Sequence, residues 1–212
     1  ESHRRARAAI ASGAVADEIV PVVIPQKKGD PKVFKVDERP METSLEKMAK
    51  LPPVFSKTGT VTAGNASGIN DGACAVVVAS ADKVKELGLK PLAKIVGWSS
   101  GGLDPAYMGL GPIPAVRKLF KKLNLTMKDM GVVELNEAFA VQALGCIKEL
   151  GVDLNKCNLN GSGISIGHPI GCTGARITYT LAMQMKKAGH KYGLASLCIG
   201  GGQGMAMVLE KA

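Results

Sequence analysis

Aromatic residues are scarce in this chain: one Trp, three Tyr and four Phe make up 4% of its 212 residues. A core without them must rest on Val, Ile, Leu, Ala and Met, and platforms for stacking nucleic-acid bases are few. Zinc, helix-turn-helix and RNA-binding signatures are missing as well. No apolar run reaches the roughly 18 residues needed to cross a bilayer, and no secretory leader pattern opens the chain. A soluble protein is expected, with no membrane span. Five cysteines, Cys74, Cys146, Cys157, Cys172 and Cys198, include no C-x-x-C pair. That argues against a disulfide framework or a metal site, and for a reducing compartment.

Acidic residues are outnumbered, 18 against 27 basic ones, which gives a net charge of +9. The excess favours anionic partners. Nucleic acid, a small polyanion such as a nucleotide phosphate, and a plain solvated basic surface all fit. At 22.0 kDa the chain can bury a core as one or two domains.

Taken in order, residues 1–11 read as a helix already under way, with no N-cap, no Met at position 1 and Gly13 as a C-cap. The expectation is a piece of something longer. Residues 19–24 and 32–36 are strand candidates separated by Pro25 and a basic turn, hence a surface hairpin. Ser44 to Leu51 reads as a short helix capped by Thr43 or Ser44. The polar, Gly-rich stretch from Thr62 to Gly72 suits close approach of a ligand, and the apolar run 73–79 reads as a buried strand. A helix over 81–87 ends at Gly88, and the Leu89-Lys90-Pro91 turn is the best domain boundary. Beyond it, strands at 93–98, 132–136, 194–199 and 205–209 alternate with helices at 114–123, 139–150 and 177–187. That order predicts a mixed α/β sheet with helices against it.

One loop organises the rest. From Asn160 to Arg176, five glycines surround His168, followed at once by a helical run that begins near Gly171 to Ala175. Glycines this dense describe a tight, shaped loop, and Pro169 holds His168 in extended backbone. Neutral imidazole can accept a proton from a thiol or donate to a developing oxyanion. His3 and His190 lie at polar helix ends and read as solvated. Cys198 ends an apolar strand beside three glycines, and it is either a small buried hydrophobe or an acid/base thiol facing a cleft. Gly200 and its neighbours offer backbone N–H groups to an oxyanion. Asn136 and Glu137 follow a strand. Asn136 could cap the next helix with Glu137 in its first turn, or its amide could orient a water or a carbonyl. The other four cysteines read as packing.

Three stretches, Asn136-Glu137-Ala138-Phe139, Gly167 to Arg176 and Cys198 to Gly204, closely resemble the thiolases in order and spacing. The resemblance extends through Gly64 to Gly72 and Met108 to Pro114, and so covers essentially the whole chain. It implies a layered α/β/α thiolase-like fold: part of a loop domain (1–69), the last strand and tail of the N-terminal half (70–90), and a complete C-terminal domain (91–212). The implied chemistry is acyl transfer between acyl-CoA and acetyl-CoA, by Claisen condensation or thiolysis of a 3-ketoacyl-CoA. Coenzyme A is then a substrate, and no tightly bound cofactor is expected. By similarity, His168 activates a thiol and polarises a thioester oxygen, and Asn136 holds the water that completes the first oxyanion site. Cys198 is the acid/base at the α-carbon, and the Gly200 N–H belongs to a second oxyanion site. Leu51, Phe55, Ala63, Ser67, Met108, Ala138 and Phe139 match positions lining the coenzyme A pocket. Lys47 stands where relatives can carry a serine near the adenine end.

One departure matters. The family's acyl-accepting cysteine belongs upstream of Glu1, and none of the five cysteines occupies a matching motif. The resemblance therefore implies a partner, the N-terminal thiolase half, along with a homodimer or homotetramer in the cytoplasm or a mitochondrial or peroxisomal matrix. The rival expectations are a non-catalytic acyl-CoA-binding or assembly half and, more remotely, a nucleic-acid binder.

Overall fold

The structure is a computed structural model that describes residues 1–212. Its centre is a four-stranded sheet in the order β3 (Ala93–Gly102), β6 (Gln203–Lys211), β5 (Tyr192–Ile199) and β4 (Met130–Leu135). β3 and β5 both pair antiparallel with β6, whereas β4 runs parallel to β5. β5 and β6 form a hairpin across Gly200-Gly201-Gly202, where Gly201 and Gly202 both adopt φ +82. This left-handed turn is open to Gly at no steric cost.

Helices cover both faces. α7 (Ile170–Ala188) lies on one, and α4 (Pro112–Leu123) with α5 (Ala140–Leu150) on the other. Alternation along the strands divides the core accordingly. On β5, Leu194 faces α4 and Ala195 faces α7; on β6, Val208 and Leu209 divide in the same way. A register irregularity between Met130 and Val132 resets the alternation of β4, so Val132 joins Ile177, Leu181 and Met185 of α7 while Met130, Val133 and Leu135 face the opposite layer. Ile177, Leu181 and Met185 recur every four residues, which gives α7 one continuous apolar stripe. Burying the Leu181 side chain completely stabilises the fold by roughly 1.5–3 kcal/mol. The C-terminal turns of α5 and α7 end at Gly151 (φ +64) and Gly189 (φ +71), the left-handed caps expected from their positions.

The first ninety residues have little core of their own and pack outside the sheet, against α6 (Gly163–Ile166) and α7. α1 (Ser2–Ala11) packs on α6 (Gly163–Ile166), and the hairpin β1 (Val22–Ile24) to β2 (Lys32–Phe34) is largely exposed. α2 (Leu45–Ala49) is capped by the Ser44 hydroxyl, which accepts from the Lys47 N–H at 3.2 Å. α3 (Ala81–Glu86) is followed by Gly88 at φ +58. No helix is long and apolar enough to cross a membrane.

Three local expectations are corrected. Residues 73–79 form no strand, and Val77 is 96% exposed. An apolar run becomes a strand only where a neighbour completes its ladder, and no strand of this chain lies beside it. Asn136 does not cap a helix: α5 starts at Ala140 with Phe139 at the N-cap, and the Gln142 side chain accepts from the Ala138 N–H at 3.1 Å. Glu137 is therefore outside the first turn of α5, and its carboxylate instead accepts from the Ser2 hydroxyl at 2.5 Å. α7 begins at Ile170, earlier than glycines in its first turn suggest, and the single turn α6 precedes it.

Candidate active site

β4 and β5 are parallel neighbours, so their C-terminal ends open on the same edge of the sheet, where α/β folds place their ligands. Asn136 leaves β4 there, and its N–H donates to the Ser196 carbonyl at 3.0 Å, two residues before Cys198 on β5. The end of β4 is clamped by Asn158, a non-glycine at φ 52. Its Oδ1 accepts from the Leu135 N–H at 2.8 Å and its Nδ2 donates to the Leu135 carbonyl at 2.7 Å. One side chain thus stands in for a strand neighbour.

The Asn136 side chain is fully buried, and neither its Oδ1 nor its Nδ2 has a partner. A buried amide without partners is costly, about 1–3 kcal/mol per lost group. Gly163, at the start of α6, fits against Asn136 Oδ1 and the Glu137 carbonyl, where a Cβ would come within 3.0 and 2.6 Å respectively. α6 and the following Gly167 then lead to His168.

His168 is held from three sides. Its N–H donates to the Gly68 carbonyl at 3.4 Å, and its Nδ1 lies 2.7 Å from the Thr173 hydroxyl. Gly167, at φ +110, leaves room for the Asn70 side chain, whose Oδ1 is buried without a partner. Burial, and secondarily the Arg176 guanidinium, hold the imidazole pKa below its ordinary value, which favours the neutral ring. Behind it, Arg176 Nη1 lies 3.6 Å from Oε2 of Glu134, a carboxylate with no exposure at all. That spacing is longer than a hydrogen bond, which leaves Glu134 Oε2 and both Arg176 Nη atoms unsatisfied. Burial pushes the Glu134 carboxyl up to about 8 against the opposing pull of Arg176.

Cys198 is buried near the end of β5, and burial raises its thiol pKa. Gly200 follows in the exposed turn, and a Cβ there would meet nothing within 4 Å. Cys146 and Cys157 are buried thiols pushed to about 11 and about 12, as packing residues should be.

The remaining predicted residues form a second cluster. Segment 62–67 lies along 138–140: Ser67 N–H donates to the Ala138 carbonyl and Ala140 N–H to the Asn65 carbonyl, both at 2.8 Å. Phe55 meets Phe139 edge to face with centroids 5.9 Å apart. Leu51 packs at Gly64, next to the exposed Ala63. Met108 joins through its neighbour, since Gly109 lies against Gln142, whose Oε1 serves Ala138. Sequence reasoning missed Thr173, Asn158, Asn70 and Arg39. Arg39 ties the two clusters by donating to the Ile164 carbonyl at 2.9 Å and the Ala66 carbonyl at 3.3 Å. Thr173, inside the histidine motif, and Asn70, inside the Gly64 to Gly72 stretch, carried a signal in the sequence.

The chain is a layered α/β fold that carries a half-buried imidazole, a buried thiol and a buried amide. Residues 89–211 match the family described as Thiolase, C-terminal domain, and residues 1–82 match Thiolase, N-terminal domain. The chain belongs to the thiolase family. It is similar to the acetyl-CoA acetyltransferase of Thiocystis violacea, 56% identical over 99% of this chain and 54% of that protein. Among solved structures, the Bacillus anthracis acetyl-CoA acetyltransferase superposes with a TM-score of 0.96 at 50% identity, over 100% of this chain and 54% of that one. Human mitochondrial 3-ketoacyl-CoA thiolase in complex with CoA gives 0.94 at 48% identity, over 100% of this chain and 52% of that one. The chain spans about half the length of the curated relatives it matches.

Proposed function

We propose that this chain contributes the acid/base and coenzyme A-facing part of a thiolase that moves acyl groups between acyl-CoA and acetyl-CoA. The observation that carries the reading is the unpartnered, fully buried Asn136 amide beside the Cys198 strand and the His168 loop. An amide poised in this way suits a water held against a thioester oxygen, and a neutral His168 suits proton removal from a thiol. The imidazole takes the S–H proton, the thiolate sulfur bonds to the thioester carbonyl carbon, and coenzyme A leaves with a proton returned from the imidazolium. In synthesis, Cys198 as thiolate takes the α-proton of acetyl-CoA, the enolate carbon bonds to the carbonyl carbon of the acylated thiol, and the C–S bond breaks to release that thiol as thiolate. In thiolysis, the Cys198 S–H protonates the departing enolate. The Gly200 N–H faces the enolate oxygen in this scheme, and the acyl-accepting thiol comes from the remainder of the thiolase.

The apolar and small residues Leu51, Phe55, Ala63, Ser67, Met108, Ala138 and Phe139 suit a pantetheine arm, with Ser67 as the polar handle. The same reading covers residues 1–69 as loop domain, 70–90 as the tail of the N-terminal half and 91–212 as the C-terminal domain. It also includes homo-oligomeric assembly, a role in fatty acid and lipid metabolism, and a reducing compartment. The test is acetyl-CoA exchange by the full-length thiolase with His168→Ala and Cys198→Ala. His168→Ala is expected to lose exchange and condensation. Cys198→Ala is expected to lose condensation with exchange retained. Full condensation in both variants removes the two residues from the chemistry.

A further inference from the structure

We propose that Thr173 is a positioning residue that fixes His168 as the Nδ1–H tautomer, so that Nε2 is the nitrogen that takes and returns protons. The inference deepens the reading of His168 as the site's base and rests on it. Thr173 is fully buried in the first turn of α7. Its Oγ1 lies 2.9 Å from the Pro169 carbonyl, a group that can only accept, so the single hydroxyl proton is committed there. This is the bond to the carbonyl four residues back that is open to Thr in a helix. Thr178 repeats it on the Gly174 carbonyl at 2.8 Å.

Oγ1 also lies 2.7 Å from His168 Nδ1. With its own proton spent, it can only accept at that contact, and Nδ1 must be the donor. A neutral imidazole has one N–H, so the lone pair falls on Nε2. The support is rigid. The Pro169 carbonyl is pinned by the N–H groups of Cys172 and Thr173 at 2.8 and 2.9 Å, and Ile177 and Leu181 anchor the helix in the core.

The arrangement serves both charge states of the ring. When Nε2 accepts a thiol proton, Nδ1–H keeps its acceptor, and the new Nε2–H can donate to an oxyanion before passing on. Burial and Arg176 both oppose the imidazolium, and the Thr173 oxygen remains the partner of Nδ1–H in that state.

Ring ¹⁵N–¹H correlation spectra of the ¹⁵N-histidine-labelled full-length thiolase at pH 8 report the tautomer, with His168→Gln identifying the ring. The expected spectrum shows His168 protonated on Nδ1. Thr173→Val, which keeps the shape but cannot accept, should move protonation toward Nε2, and Thr173→Ser should restore it. In the full-length thiolase, Thr173→Val should lower kcat/KM about 100-fold, the scale of a misoriented group, with Thr173→Ser near the parent. A wild-type ring protonated on Nε2, or Thr173→Val retaining Nδ1–H, overturns the proposal whatever the activity. Acyl transfer surviving His168→Gln sinks the catalytic reading instead, and leaves the tautomer assignment standing.

Discussion

Glu134 makes the stability of this protein depend on pH in an unusual direction. It sits on β4 with no exposure, its Oε1 accepting from Gln184 Nε2 at 3.0 Å and its Oε2 3.6 Å from Arg176 Nη1. Burial raises its carboxyl from 4.5 to about 8. Between those values the folded state holds a proton that the unfolded chain has released. Stability is therefore full below about 4.5 and is lost as pH rises through about 8. Each pH unit in that window removes at most about 1.4 kcal/mol, hence about 5 kcal/mol in all. Gln at this position has the same shape and no charge to bury. Denaturant unfolding of wild type and Glu134→Gln from pH 5 to 9 should give curves that diverge steadily, with the wild type losing ground as pH rises. Parallel curves refute the reasoning. They would mean that Arg176 carries the carboxylate as a full ion pair at every pH.

Other perturbations follow from single contacts. Gly167→Ala places a Cβ into the Asn70 side chain at φ +110 and should cost about 1–3 kcal/mol, together with most acyl transfer, measured by unfolding and by acetyl-CoA exchange. Leu181→Ala, at a fully buried position of α7, should cost about 2–5 kcal/mol in denaturant unfolding while leaving the KM for acetyl-CoA near the parent value. Cys146 and Cys157, held at about 11 and about 12, should resist iodoacetamide in the native state and react on unfolding, as read by peptide mass spectrometry. Light scattering of the isolated 212-residue chain should reveal self-association, since Ile69, Val77 and Val78 are exposed together with the β1–β2 hairpin valines.

The sheet and its helices were legible because each signal is local. The four-residue spacing of Ile177, Leu181 and Met185, the Gly151 and Gly189 caps and the apolar strands around 132 and 194 all act within one element. The run at 73–79 misled because strand formation depends on a neighbour that local pattern cannot supply. Asn136 misled differently. A polar residue after a strand looks like a helix cap, yet the chain spends three more residues crossing beneath segment 62–67 before α5 begins. His168 and Cys198 stood out through the glycines beside them. Arg39 and Asn158 did not, because each acts on a backbone distant in sequence, and nothing near Asn158 announces that its side chain closes β4.

We propose that the His168 imidazole, the Cys198 thiol and the Asn136 amide serve one reacting carbonyl. A crystal structure of the full-length thiolase soaked with acetyl-CoA measures this directly. The expected map has the thioester sulfur and carbonyl between His168 Nε2 and Cys198 Sγ, with a water on the Asn136 amide facing the carbonyl oxygen. A thioester bound elsewhere, or reached by only one of the two side chains, contradicts it.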